Sequence, residues 1–186
     1  MQSITVIPDG EFISSEWSGG TTTELFIWPE GSSYAERRFR ARISTANCRL
    51  EESHFTPLPG VKRFLTPLCA GFELTVNGRE TPLPHGSVLE FSGGDDVTCR
   101  GRGRDLNLML KGAEGSMRIV DGAFSVREDE TAFVYAEHGA VISACFGKSF
   151  CTSAFMHAGA FARLVQGSYQ TRAPIVLFTV KTDDPA

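Results

Sequence analysis

The fold class follows from residues 71–79, which read Gly-Phe-Glu-Leu-Thr-Val-Asn-Gly-Arg. Successive side chains of a strand point to opposite faces, so the apolar residues of this stretch share one face. They are Phe72, Leu74 and Val76. The Asn-Gly pair at 77–78 tolerates the positive φ that a type I′ turn requires. We therefore predict a β-hairpin whose second strand begins at Arg79.

Further short stretches show strand-like patterns and are separated by the 19 glycines and 9 prolines of the chain. They are residues 39–44, 87–91, 97–99, 105–110, 131–135, 140–145, 160–165 and 175–180. Many short strands with turn signals between them indicate an all-β sandwich, jelly roll or barrel. The pattern pauses near 112–115, which suggests a single compact molecule with halves 1–112 and 113–186 that could exchange strands.

Composition excludes several classes of protein. The 186 residues carry a net charge of −4, which argues against a nucleic-acid or anionic-membrane partner. No stretch approaches the roughly 20 apolar residues of a membrane span. The five cysteines form no CxxC pair and leave one unpaired, which favours buried thiols over a disulfide framework. We expect a cytoplasmic protein.

Motifs of catalysis and cofactor binding are absent from the sequence. The four histidines are far apart and form neither HxH nor HExxH, and no Cys/His group has zinc spacing. GxSxG, GxGxxG and the P-loop pattern are also missing. The Arg-Gly-Arg-Gly-Arg run at 100–104 is typical of a solvated turn. The sequence therefore predicts no metal, no cofactor and no catalytic residue.

Polar side chains share strand faces at two places. Arg42 and Ser44 lie opposite an apolar face, and Asp105 and Asn107 lie on a strand backed by three leucines. If these faces point into a barrel, burial is costly unless the groups pair with one another or with a ligand. They either line a binding pocket or form a buried Arg–Asp pair that braces the barrel.

In the pocket interpretation, Arg42 or Arg63 clamps an acidic small molecule, because a guanidinium offers a planar fork of donors to a carboxylate. Thr22, Ser44, Asp105 and Asn107 would orient the molecule. The loop at 55–60 contains two prolines and would hold Arg63 rigidly. For Trp17, a lone tryptophan beside glycines, core packing is the interpretation that we favour from the residues alone.

Five short motifs occur in one order along the chain. They are Trp17 to Glu24, Arg42 to Ala46, Phe55 to Arg63, Phe91 to Gly93, and Asp105 to Met109. This order resembles that of the HutD/Ves family, and the chain length is similar. The resemblance covers residues 17–109 through motifs, and the second half through length and strand pattern.

The resemblance implies a bicupin, with two β-barrel cupin units and without the histidine-rich metal motif of many cupins. It implies a bacterial protein of histidine utilisation that has no established enzymatic activity. Such a protein would sense or buffer a small anionic metabolite such as N-formylglutamate or urocanate, and a homodimer is compatible with it. The implied ligand-binding residues are Trp17, Thr22, Glu24, Arg42, Ser44, Arg63, Asp105 and Asn107.

Two other functions stay open at this point. One is a metal-independent cupin isomerase or epimerase, in which a histidine, Glu24 or Asp105 exchanges protons with the substrate. The other is a protein-interaction module whose polar barrel residues are structural. A histidine or carboxylate inside the cavity would keep the enzyme hypothesis open, and exposed apolar patches without a cavity would favour the interaction module.

Overall fold

The computed structural model describes residues 3–68, 70–146 and 150–181. The fold is all-β, as predicted, and the described helical structure is one 3-10 turn at Asp9–Glu11. No helix within these ranges is long and apolar enough to cross a membrane. Cys48 and Cys99 are free thiols, and Cys69 lies outside the described residues.

The described strands are β1 (Ile4–Ile7), β2 (Ile13–Trp17), β3 (Gly20–Trp28), β4 (Ala41–Cys48), β5 (Glu52–His54), β6 (Val61–Leu68), β7 (Phe72–Val76), β8 (Arg79–Leu83), β9 (Leu89–Ser92), β10 (Val97–Arg100), β11 (Gly103–Lys111), β12 (Gly115–Val120), β13 (Ala123–Val126), β14 (Glu130–Ala136), β15 (Ala140–Phe146), β16 (Phe150–Met156), β17 (Ala160–Leu164), β18 (Gly167–Thr171) and β19 (Ile175–Lys181).

The chain forms two compact units, Phe12–Ala113 and a second unit made of Met1–Glu11 and Glu114–Ala186. Relative to the predicted halves, the first eleven residues and Ala113 each belong to the other unit. β1 belongs to the second unit because it pairs with β17 in the antiparallel register Ile4↔Leu164. The alternation of apolar and polar residues in a strand of four residues does not identify its pairing partner, and here that partner is distant in the sequence.

The unit 12–113 consists of two antiparallel sheets. The larger has the order β2-β3-β4-β11-β6-β9, and the smaller has the order β5-β10-β7-β8. Leu65 of the larger sheet and Phe72, Leu74 and Cys99 of the smaller one belong to one apolar cluster between them. Burial of these side chains fixes the two sheets face to face.

The unit that contains residues 114–181 also has two sheets, with orders β1-β17-β14-β19-β12 and β13-β18-β15-β16. One continuous apolar cluster draws on every one of these strands. Many of its members are alanines, among them Ala132, Ala144 and Ala162. Small side chains let the facing sheets approach closely, and the space between them is filled by apolar groups.

The predicted hairpin at 71–79 is present as β7 and β8. Val76 pairs with Arg79, and the two residues between them have positive φ, 51° at Asn77 and 78° at Gly78. The sequence rule for an Asn-Gly turn is therefore confirmed at this position.

A close backbone contact holds the loop at 55–60 against the end of β9. The amide of Leu58 donates to the carbonyl of Gly93, and the amide of Gly93 donates to the carbonyl of Val61. A Cβ on Gly93 would lie 2.5 Å from the Leu58 oxygen and 2.9 Å from the Val61 oxygen. Only glycine fits here, which explains its place in the motif that begins at Phe91.

We expect Gly93→Ala to destabilise the protein by about 1–3 kcal/mol, because backbone rather than a flexible side chain must move. Urea unfolding followed by circular dichroism measures the effect. Gly94→Ala is the matched control, since its nearest neighbours would lie 3.6 Å or more from the new Cβ. Equal stability of the two variants would contradict this account of the loop.

Candidate functional site

A cavity of about 360 Å³ lies between the two sheets of the unit 12–113. Its floor consists of buried polar side chains on three adjacent strands of the larger sheet: Arg42, Ser44, Arg63, Asp105 and Asn107. Its rim includes exposed residues on β2 and on the segment 54–56. The size falls in the range of about 300–1,000 Å³ that is typical of small-molecule pockets.

Strand register brings the floor residues together. β11 lies between β4 and β6, with Asn107 opposite Ser44 and Met109 opposite both Arg42 and Arg63. Residues directly opposite one another project from the same face. The period of two therefore carries the polar residues of all three strands into one cavity, while Leu106 and its even-numbered neighbours project from the other face.

Arg42 is held in place by an ion pair, a hydrogen bond and a cation–π contact. Its Nε donates to Oε2 of Glu24 at 2.7 Å, and its Nη1 donates to Oγ of Ser44 at 3.0 Å. Its guanidinium carbon also lies 4.2 Å from the ring centroid of Tyr34, a cation–π contact. Glu24 pairs with Ser44 in the register of β3 with β4, just before a register shift between Glu24 and Phe26. The charge of Arg42 is thus balanced within the protein.

Arg63 is less well satisfied, although only 6% of its surface is exposed. Its Nη2 donates to Oδ1 of Asn107 at 3.0 Å, and its Nε is buried without a partner among the described residues. The rings of Phe55 and Phe91 lie 4.7 and 5.1 Å from its guanidinium carbon. Burial lowers the pKa of Arg63 to about 10, so the side chain is still a cation at neutral pH.

Asp105 is the buried carboxyl of the floor. Its Oδ1 accepts a hydrogen bond from Nδ2 of Asn107 at 2.9 Å, and its Oδ2 has no hydrogen-bond partner in the described part of the chain. Burial raises the pKa of Asp105 to about 6, against the opposing effects of Asn107 and Arg63. The described residues form no ion pair between Asp105 and an arginine, so the buried Arg–Asp brace of the sequence analysis is not what forms.

The rim carries the less buried groups of the cavity. Trp17 lines it with 39% of its surface exposed, so the core packing that we favoured for this residue is wrong. His54 also lines the cavity, from strand β5, and one of its ring nitrogens lies 3.1 Å from Oγ1 of Thr98. With Thr56 at the same edge, the mouth is an aromatic and polar border around a charged floor.

Two thiols also line the cavity, Cys48 from β4 and Cys99 from β10. Burial raises the pKa of Cys99 to about 12, with a further contribution from Asp105. A thiol nucleophile must reach the thiolate form. Cys99 therefore stays protonated at neutral pH and acts as a small apolar wall.

Of the eight residues implied by the family resemblance, all except Glu24 line the cavity. Glu24 instead contacts Arg42. Sequence reasoning missed Tyr34 and the cation–π role of Phe91. Tyr34 lies in the irregular segment between β3 and β4, where no periodicity identifies a face. Phe91 was visible only as a motif residue, and its ring meets Arg63 through the pairing of β9 with β6.

The arginine-rich run at 100–104 is a partnered surface feature. Arg100 Nε lies 2.7 Å from Oε2 of Glu52, and Arg102 Nη2 lies 3.0 Å from Oε1 of Glu51. Both arginines are exposed, and acidic groups of the same unit balance them. This agrees with the solvated turn that we expected.

The all-β fold, with facing antiparallel sheets in each unit, resembles that of cupin-like proteins. It is similar to Bacillus subtilis oxalate decarboxylase, with a TM-score of 0.58 and 8% identity over 100% of this chain and 79% of that chain. The sequence profile of the HutD family matches residues 10–163, so the chain belongs to the HutD family. No curated protein matches the chain.

Two solved structures resemble the whole chain more strongly. The conserved protein PA5104 of Pseudomonas aeruginosa PAO1 has a TM-score of 0.77 and 21% identity over 98% of this chain and 100% of that one. HutD from Pseudomonas fluorescens SBW25, determined in a formate condition, has a TM-score of 0.75 and 22% identity over 97% of this chain and 100% of that one. At these identities the likeness shows a shared fold.

We expect Asp105→Asn to stabilise the unliganded protein at about pH 8, by an amount on the order of 2–3 kcal/mol. Burial raises the pKa of the carboxyl from 3.8 to about 6. The folded state therefore binds a proton more tightly than the unfolded state. The contribution of Asp105 to stability is fully present below pH 3.8 and is lost as the pH rises through about 6.

Urea unfolding of wild type and variant across this pH range tests the expectation. The two curves should converge at the acid end, where the wild-type carboxyl is neutral. The exposed Asp121→Asn variant is the control and should change stability by less than about 0.5 kcal/mol. A variant at position 105 that is less stable than wild type at every pH would show that the carboxylate supports the fold.

Proposed function

We propose that this HutD-family protein binds a small carboxylate metabolite in the cavity of the unit 12–113 without transforming it. The observation that carries the proposal is Arg63, a buried cation whose Nε has no partner among the described residues. A buried, unsatisfied charged group lowers stability, and a ligand that completes its hydrogen bonds recovers that free energy.

The floor offers donors suited to a carboxylate. Arg63 supplies the charge, and the Ser44 and Thr22 hydroxyls lie on the same cavity wall. Charge-assisted hydrogen bonds contribute about 1.5–3 kcal/mol each. Arg42 already binds Glu24 and Ser44, so Arg63 is the principal anchor and Arg42 holds the wall in place.

The family suggests which carboxylates to test. HutD proteins are associated with histidine utilisation, and N-formylglutamate and urocanate are acids of that pathway. One similar HutD structure was determined in a formate condition, and formate is the smallest carboxylate probe. In this proposal the protein senses or buffers such an acid in the cytoplasm of a bacterium.

We also propose that each unit is a cupin-type barrel and that the chain is a bicupin. The likeness to oxalate decarboxylase, which covers 100% of this chain, supports this organisation. A crystal structure that traces the strand hydrogen bonds around each unit tests whether the sheets close.

Thermal unfolding with formate, urocanate and N-formylglutamate tests carboxylate binding. A ligand at 100 times its dissociation constant should stabilise the protein by about 2.7 kcal/mol. We expect Arg63→Ala to weaken binding by at least about tenfold, because one charge-assisted bond is lost. Arg63→Lys should recover only part of the affinity, because lysine keeps the positive charge but lacks the planar set of donors of a guanidinium.

Arg102→Ala is the matched control, because Arg102 is an exposed arginine of the same unit that pairs with Glu51. It should bind like the wild type. Absence of stabilisation by every small acid, or equal affinity of the Arg63→Ala and Arg102→Ala variants, would contradict the proposed site.

A second candidate function is a metal-independent isomerase or epimerase. The observation that favours it is Asp105, a cavity carboxyl whose burial raises its pKa to about 6, near the operating range of a general base. Incubation with N-formylglutamate in D₂O should then exchange the α-proton of the acid, and Asp105→Asn should abolish the exchange. Nuclear magnetic resonance measures it, and binding without exchange would exclude this reaction for that acid.

A further inference from the structure

The charges of the cavity floor are not independent of one another. Glu24 balances Arg42 through a 2.7 Å ion pair, which leaves Arg63 and Asp105 as the remaining charged groups of the floor. When Asp105 is ionised, these two groups and the Glu24–Arg42 pair have a net charge of zero. When Asp105 is protonated, the floor carries one positive charge, and that charge resides on Arg63.

Asn107 links these two groups. Its Oδ1 accepts from Nη2 of Arg63 at 3.0 Å, and its Nδ2 donates to Oδ1 of Asp105 at 2.9 Å. The amide therefore separates Arg63 from Asp105 and prevents a direct ion pair, while it keeps both in one cavity. An anionic ligand on Arg63 would lie close to the Asp105 carboxyl, where like charges repel strongly because both side chains are buried.

We propose that the cavity takes up its carboxylate ligand together with one proton, which resides on Asp105. This inference rests on the proposed function and adds its charge requirement: the buried part of the ligand carries one negative charge. The step balances as ligand carboxylate plus one solvent proton plus ionised Asp105 giving bound carboxylate beside neutral Asp105. No covalent bond to the ligand forms or breaks.

The neutral carboxyl also gains a chemical role. Ionised Asp105 is only an acceptor, whereas protonated Asp105 has one O–H donor. Its Oδ2, which has no described hydrogen-bond partner, is the oxygen free to carry that proton. Asp105 would then donate to the ligand instead of repelling it, and Asn107 would keep both of its present hydrogen bonds.

Other titratable groups around Asp105 fit the proton less well. The larger sheet contributes Glu24, Arg42, Cys48 and Arg63; the smaller sheet contributes His54 and Cys99; the segment between β3 and β4 contributes Tyr34. Glu24 is committed to Arg42, and Cys99 is already protonated at neutral pH. His54 is the competitor, but it is exposed at the rim and contacts Thr98.

The pKa of Asp105 supports the direction of the linkage. Burial raises it to about 6, so the carboxyl is mostly ionised at about pH 7 before a ligand enters. A ligand anion raises this pKa further, and protons are taken up on binding. Affinity should be greatest below about pH 6 and should fall as the pH rises above it.

Titration calorimetry with formate measures the proton directly, in buffers of different ionisation enthalpy at about pH 7. We expect the wild type to take up close to one proton per formate, and its affinity to fall by up to about tenfold per pH unit above that pH. Asp105→Asn should bind formate with no proton uptake and no pH dependence. His54→Gln should keep the wild-type uptake.

The outcomes separate this inference from the proposed function. Formate binding without proton uptake in the wild type, or uptake lost in His54→Gln, overturns the inference and leaves carboxylate binding intact. No binding of formate, urocanate or N-formylglutamate at any pH overturns the proposed function itself. If Asp105→Asn does not fold, ¹³C resonances of labelled aspartate decide instead: the Asp105 carboxyl must titrate at higher pH with formate than without it.

Discussion

A buried guanidinium with too few acceptors is the constraint on which the cavity depends. Removing Arg63 from water costs several kcal/mol unless neighbours compensate. Asn107 supplies one acceptor, and Phe55 and Phe91 supply ring faces. Those rings stay in place because Gly93, two residues after Phe91, lets the loop at 55–60 bond closely to the end of β9. The backbone contact at Gly93 thus helps to position the two rings that pack on the Arg63 guanidinium.

The two units use a similar strand arrangement for opposite purposes. Each has two antiparallel sheets, and in each the inward faces follow a period of two. In the unit that contains 114–181, inward positions are alanines and larger apolar residues that fill the space. In the unit 12–113, β4 and β11 replace some of them with polar groups, and a cavity results. A packed apolar core stabilises the fold, whereas polar side chains at inward positions lower stability and provide groups that can bind a ligand.

Strand periodicity made much of this site predictable. It placed Arg42 with Ser44 and Asp105 with Asn107 on shared strand faces, the pocket interpretation added Arg63 and Thr22, and the motif order added Trp17 and Glu24. Periodicity could not predict which partner each charge takes. The Glu24–Arg42 ion pair depends on the pairing of β3 with β4, and the Asn107 bridge depends on the register of β4, β11 and β6. Both depend on how separate strands pair, which the residue pattern of a single strand does not determine.

The rest escaped prediction for a different physical reason. Tyr34 lies in a segment without regular structure, and β1 pairs with a strand more than 150 residues away in sequence. Glycines of the motifs were visible, but their purpose was not. A Cβ on Gly20 would lie 2.0 Å from the carbonyl oxygen of Asn47, so this glycine serves the pairing of β3 with β4. A motif residue can therefore have a structural role in the strands that form a site without lining the cavity itself.

The pattern of satisfied and unsatisfied groups distinguishes a brace from a binding site. A brace closes its hydrogen bonds, because each buried open group costs about 1–3 kcal/mol. The Arg42 end of the floor is closed in this way by Glu24 and Ser44. At the other end, Nε of Arg63 and Oδ2 of Asp105 have no hydrogen-bond partner among the described residues. Closed groups hold β3 to β4, and open groups face the cavity that a ligand would fill.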